Sequence, residues 1–281
     1  MEDTNSITAL TAEEARRLVD ERLSGDVDNP GSLCLDGLTD LPEGVAEQLA
    51  RHCGTLTLNG LPQLSPEAAA LIAGSEGVEH WELNGLSEIS SELAREICKH
   101  GNHGEFFGGG LLCLDGLCTL HEDVALLLAK YGGQLSLCGL TELSPELAKI
   151  LAFHEGTLLL NGLINLPPLV AAALAKQEGI LGLDGLATIS SEVAEELARH
   201  EHKLSLNGLK AVSVELARKL AQCKSWLSLD GISDMTDAVA DVFADMQSGL
   251  TLNGVAKISK DALVRLQANP DIQLPDGLSS S

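Results

Sequence analysis

The sequence predicts an α/β solenoid, a stack of short strand–turn–helix units, and three observations predict it. A hexapeptide of the form Leu-x-Leu-Asx-Gly-Leu recurs ten times, four of them with one substitution (Trp81, Cys138, Ile232 and Val255), with its glycines at 37, 60, 85, 116, 139, 162, 185, 208, 231 and 254. Successive glycines are 23, 25 and 31 residues apart and then 23 apart six times, a regularity that marks stacked structural repeats. Hydrophobic residues make up 44% of the 281 residues but aromatics only 2%, so the core is built from Leu and Ala at fixed slots rather than from bulky rings.

Each element follows from its residues. Ile7–Val19 matches the helical half of a repeat, with Leu10, Ala15 and Leu18 in the apolar slots and Glu14 polar where an end cap faces solvent. Residues 7–31 are therefore read as an N-terminal half-repeat cap. Ten repeats span 32–269. In each, Leu-x-Leu alternates with period two and forms a short strand with both leucines on one face. Asn-Gly or Asp-Gly turns the chain, and the turn is expected to use glycine for positive φ. An apolar residue follows four places after Gly (Leu41, Leu64, Ile89 and so on). Ser65-Pro66-Glu67 and Ser144-Pro145-Glu146 then carry a helix start: an N-cap serine, proline in the first turn and an acid near the positive end of the dipole. Apolar residues 8, 9, 12 and 13 places after Gly, such as Val45, Ala46, Leu49 and Ala50, describe one face of a helix of about three turns. The ninth place is Ala in nine of ten repeats, which lets each helix approach the sheet closely. Residues 270–281 read as a C-terminal cap, where Ile272–Leu278 repeats the strand half with one residue inserted. The whole chain, 1–281, is read as a single solenoid domain.

These motifs resemble those of the leucine-rich repeat proteins, nearest to the bacterial 23-residue class, over roughly residues 7–278. One departure is that the Asx directly follows the second strand Leu (Asn59, Asn161) rather than standing three residues later. The resemblance implies a right-handed solenoid with a parallel sheet on its inner face and short helices on its outer face. It implies a binding protein rather than an enzyme.

Composition narrows the function further. Asp plus Glu number 41 against 18 Lys plus Arg, a net charge of −23, which opposes nucleic-acid or anionic-membrane binding. No run approaches the ~18 apolar residues of a membrane helix. The N-terminal stretch is acidic and interrupted, unlike a secretory signal. Seven cysteines at irregular spacing and no Asn-x-Ser/Thr acceptor suggest a reducing, cytoplasmic setting.

Candidate chemistry is sparse. The Asx row has two readings: an acidic ladder for a cation, or turn chemistry in which Asn and Asp bond the local backbone. The four Asp among the turns never fall in consecutive repeats, which favours turn chemistry. His52, His100, His154 and His200 share the slot 15 places after Gly. They are too far apart for one metal and are expected to cap the negative helix end at the surface. Cys98 takes a slot otherwise filled mostly by Ala and reads as a small core residue. Cys98, His100, His103 and Glu105 are near in sequence, yet a core Cys98 is lost to a metal site. Neither a metal nor a cofactor is expected. No Gly-x-Ser-x-Gly, His-Glu-x-x-His or phosphate loop occurs, so no catalytic residues are assigned.

Binding is expected on the outward strand face and at an insertion. The middle strand row (Cys34, Thr57, Glu82, Cys113, Ser136 and onward) is small and nearly uncharged. The row before it holds the odd large residues, among them His80, Leu111 and Trp226. The 31-residue gap adds eight residues around 101–110, including His103, Glu105, Phe106 and Phe107. The two phenylalanines either plug the core or anchor a partner. The candidate binding residues are therefore His80, Glu82, His103, Glu105, Phe106, Phe107, Leu111 and Trp226. The expected function is a non-catalytic scaffold for a protein or peptide, with the charge favouring a basic one. The alternative is a structural module that self-associates.

Overall fold

The computed structural model describes residues 4–23, 31–75, 77–100 and 109–278, and the chain divides into two compact units, Met1–Leu140 and Thr141–Ser281. In the first unit a 3-10 turn at Thr4–Ser6 precedes helix α1 (Ala12–Leu23). Then come β1 (Ser32–Cys34), α2 (Glu43–Leu49), β2 (Gly54–Thr57), α3 (Pro66–Ala73), β3 (Val78–Glu82), α4 (Ser91–Ile97), β4 (Gly109–Cys113), α5 (Glu122–Leu128) and β5 (Gly133–Ser136). The second unit holds α6 (Pro145–Leu151), β6 (Leu158–Leu159), α7 (Pro168–Leu174), β7 (Leu181–Gly182), α8 (Ser191–Leu197) and β8 (Leu204–Ser205). It continues with α9 (Val214–Leu220), β9 (Leu227–Ser228), α10 (Asp237–Ala244), β10 (Leu250–Thr251), α11 (Lys260–Gln267) and β11 (Ile272–Gln273).

Within each unit every strand lies parallel to the next in sequence, slot against slot. Leu33 pairs with Leu56, Leu56 with Trp81, Trp81 with Leu112 and Leu112 with Leu135. Leu158, Leu181, Leu204, Leu227 and Leu250 continue the same register, and Leu250 pairs with Ile272. The strand leucines are buried, and so is every alanine in the ninth place, from Ala46 to Ala240. The core is thus the layer between strands and helices, as the Leu and Ala columns dictate.

The helices start where the sequence places them. The Ser65, Ser90, Ser144, Ser190, Ser213 and Ser259 hydroxyls each accept the N–H three residues on. They are shorter than expected. Those of the ten repeats run 7 or 8 residues, about two turns, because the residue thirteen places after Gly is usually the C-cap. At the N-terminus Thr11 and Glu14 form a capping box, with Thr11 N–H donating to Glu14 Oε2 at 2.8 Å.

The glycines of the repeat need a different explanation from the expected one. Left-handed φ occurs only at Gly31, Gly54 and Gly277 among the described residues, and none of these is a turn glycine of the ten repeats. The turn glycines sit against the turn of the preceding repeat instead. A Cβ on Gly185 would clash with the Asn161 carbonyl oxygen and lie 2.7 Å from that of Leu163. The same contact recurs at Gly60, Gly85, Gly116, Gly139, Gly208, Gly231 and Gly254. Glycine is there because stacked turns touch backbone to backbone.

The two irregular spacings also resolve into local structure. Pairing slips by one residue at Gly54 beside β3 and at Gly110 in β4, so each insertion enters at the start of a strand. At Gly110 the strands approach so closely that any Cβ would collide with the Glu79 carbonyl.

Candidate functional site

The outward strand face is assembled from three rows, and the innermost sets the rest. The turn Asx side chains reach to the next repeat and accept the backbone N–H of the next residue in their own row. In the first unit Asn59, Asn84, Asp115 and Cys138 donate in turn to Asp36, Asn59, Asn84 and Asp115, at 3.0, 3.0, 2.9 and 2.7 Å. In the second, Asp184, Asn207, Asp230 and Asn253 donate to Asn161, Asp184, Asn207 and Asp230, at 2.9, 2.8, 2.8 and 2.8 Å. The expectation of purely local turn chemistry is corrected: the row is a ladder between repeats. It suits Asn and Asp equally, because both present an acceptor oxygen at the same reach. The first rung is Asn5, whose Oδ1 accepts from Asp36 N–H at 3.3 Å.

The middle row is pinned to this ladder. Ser136 and Ser205 hydroxyls donate to Asp115 and Asp184, each at 2.6 Å, and Ser228 to Asn207 at 2.8 Å. Thr57, Cys113, Ser136, Ser228 and Thr251 are buried although they point away from the core. The row is mostly small, and its serines are bonded to the ladder.

The large side chains stand in the outermost row. His80 on β3 and Leu111 on β4 are adjacent and half-buried, and Leu111 N–H donates to His80 Nδ1 at 3.0 Å. That bond assigns the neutral imidazole proton to Nε2. Glu82, one slot along, accepts from Asn59 Nδ2 at 3.1 Å. These three candidates are brought together. Trp226, at the start of β9, lies in the second unit. Its ring covers Gly249 on the next strand, where a Cβ would lie 2.6 Å from the ring carbons Cδ2 and Cζ3. Leu159 leans over Gly182 in the same way. Ile180 and Lys203 occupy the outer row on the strands before Trp226 and are exposed. The residue pattern held this signal, a bulky residue followed one repeat later by glycine. His103, Glu105, Phe106 and Phe107 lie outside the described residues.

Beneath His80 and Leu111 the core is unusual. Trp81 is fully buried, its ring centroid 5.9 Å from that of His100, which stacks on Tyr131 at 6.3 Å. His100 Nε2 meets the Val78 carbonyl at 2.6 Å, and Tyr131 Oη donates to the Gly110 carbonyl at 2.7 Å. The chain is therefore braced at both ends of the 101–108 stretch.

The histidine row is corrected. His52, His100, His154 and His200 are all buried, not at the surface. They fill the corner where helix returns to strand and bond carbonyls there: His52 to Thr55 at 3.1 Å, His154 to Thr157 at 3.2 Å, His200 to Gly179 at 3.0 Å. Gln177 and Asn269 hold the same slot and donate to carbonyls of the preceding repeat. Burial pulls the His52 and His200 pKa values below the ordinary histidine range, so these rings are neutral rather than partners for the helix dipole.

The cysteines are all thiols. Cys98 is half-buried with Sγ 3.5 Å from the Leu127 carbonyl. Burial pushes the Cys98, Cys113 and Cys223 thiols up to about 12, far from the thiolate that nucleophilic chemistry requires. Among the described residues no group of three or more His, Cys, Asp or Glu is placed to hold a metal ion, and no helix is long and apolar enough to cross a membrane.

A strand, an Asx-Gly turn and a short helix, stacked at a 23-residue period with parallel strands in register, define the architecture. The fold is leucine-rich-repeat-like. No protein-family model and no curated protein sequence matches the chain. Among solved structures it is similar to an internalin (InlF) from Listeria monocytogenes str. 4b F2365, at 14% identity over 95% of this chain and 83% of that chain, with a TM-score of 0.42.

Proposed function

We propose that the chain is a non-catalytic scaffold that binds a protein or peptide on its outward strand face. The observation that supports it is the contrast between rows. His80, Leu111, Ile180 and Trp226 stand partly exposed beside a middle row of mostly small side chains, of which Ser136, Ser205 and Ser228 bond to the Asx ladder. Side chains mounted on so rigid a base lose little freedom when a partner covers them, and Trp in particular serves as an anchor. Charge favours a basic partner, most of all on the first unit, where 23 Asp plus Glu face 7 Lys plus Arg, a net −16. Seven cysteines outside any disulfide suit a reducing, cytoplasmic setting.

Binding of fluorescently labelled Lys/Arg-rich peptides carrying apolar residues tests this reading. Trp81 is fully buried and Trp226 only half so, so occupation of the second unit's face should shift the emission of Trp226 alone. Trp226→Ala and Leu111→Ala should each weaken binding about tenfold. Affinities unchanged in both variants would speak against the strand face as the site.

A further inference from the structure

The repeat that begins at Gly162 breaks the surface pattern of its neighbours. The 20 residues 156–175 contain no Asp, Glu, Lys or Arg, the longest such stretch in the chain. The seventh place after the repeat glycine is acidic in seven repeats: Glu67, Glu92, Asp123, Glu146, Glu192, Glu215 and Asp261. Here it is Leu169. An acid at that place favours the helix N-terminus, and α7 has none in its first turn. The second place after Gly is Thr, Ser, Ala, Cys, Pro or Lys in the other repeats, and here it is Ile164. Ile164 is 69% exposed and Leu169 72%, and Pro167 and Pro168 between them are exposed as well. Packing within the unit explains none of this, since the buried slots of the same repeat, Leu163, Leu166, Val170 and Ala171, are filled in the ordinary way.

Charge identifies what covers such a patch. A basic partner gains most where the acids are dense, and this repeat is where they are missing. A second copy carries the same −23 and can approach closely only where neither surface is charged. We propose that Ile164, Pro167, Pro168 and Leu169 form the face through which two copies of this chain associate. A two-fold arrangement sets the patch against itself. The acids on either side, Glu146 and Glu192, are exposed and then repel across the rim. Association through this face therefore strengthens as salt rises, the reverse of binding to a basic partner. This inference does not depend on the strand face, whose variants lie on other residues.

Sedimentation equilibrium of the full chain over a wide concentration range, at about 0.1 M and about 1 M NaCl, tests it, because screening shortens the Debye length from ~10 to ~3 Å across that span. The expected result is a monomer–dimer equilibrium that shifts toward dimer at high salt. Leu169→Glu should raise the dimer Kd about tenfold or more, and Ile164→Ser with Leu169→Ser should do the same without adding charge. Leu169→Glu restores the residue type that the neighbouring helices carry, so its Tm should be no lower than that of the parent. A monomer at every concentration and salt, a dimer indifferent to both variants, or a dimer that weakens with salt would each overturn the proposal.

Discussion

The tripeptide Asp-Gly-Leu occurs at 184–186 inside the second unit and again at 276–278 beyond its last strand, and the two copies obey different constraints. Gly185 has no left-handed φ, and a side chain there would strike the preceding turn. Gly277 has a φ of +73° and open space around it. Asp184 accepts from Ser205 Oγ at 2.6 Å and from Asn207 N–H at 2.8 Å, whereas Asp276 is exposed. Leu186 is fully buried and Leu278 only half. The same residues serve stacking in one place and backbone bending in the other. The opposite end agrees. Asn5-Ser6-Ile7 supplies the first turn, and Ser6 stands in the glycine slot where no described turn precedes it.

The comparison can be broken at several points, taken here from larger effects to smaller. Ala148→Leu forces extra volume between helix and sheet and should destabilise by about 1–3 kcal/mol in urea unfolding. A neutral result would mean that the fully buried alanine column tolerates volume and does not set the helix-to-sheet distance. Asp184→Ala should cost about 1–2 kcal/mol, because a backbone N–H and a hydroxyl lose their acceptor. Asp276→Ala should stay within about 0.5 kcal/mol. Asp184→Asn should restore most of the loss, as Asn fills other rungs of the same ladder. The smallest effect concerns pH. His52 and His200 stay neutral when folded, while in the unfolded chain they take up protons below about pH 6.5. Their contribution is therefore present above that pH and lost as it falls. His200→Gln, borrowing the residue found at Gln177, should flatten the fall in Tm between about pH 6.5 and 5. An unchanged pH profile would show that His200 titrates alike in the folded and unfolded chain.

Much of the fold was legible because a repeat averages over its copies. The Leu-x-Leu strands, the alanine column and the serine caps each recur often enough to declare their role. Helix length was overstated by a turn, since the residue thirteen places after Gly is usually a half-buried or buried C-cap and mimics a helical position. The purposes of Asx and Gly were misread for a common physical reason: both act on the adjacent repeat, and a single unit does not show what touches it. The histidine slot was misread as surface. Its other occupants, Ser75, Tyr131, Gln177, Cys223, Met246 and Asn269, are a mixture suited to a buried corner. The neighbouring slot, with Arg51, Lys99, Lys130, Lys176 and Arg199, is the exposed one. In the candidate site, strand register alone sets His80 and Leu111 on neighbouring strands at one edge. The cover that Trp226 gives Gly249 needed side-chain geometry.

The most direct test of the central claim, that repeat glycines exist for contact between stacked turns, is a paired measurement on the two Asp-Gly-Leu copies of the second unit. Gly185→Ala and Gly277→Ala are compared by equilibrium urea unfolding under one set of conditions. The contact account predicts a loss of about 3 kcal/mol at Gly185, where backbone must move to admit the methyl group, and about 1 kcal/mol at Gly277, where only the left-handed φ is penalised. Equal losses, or a larger one at Gly277, would contradict it and return the repeat glycines to an ordinary turn role.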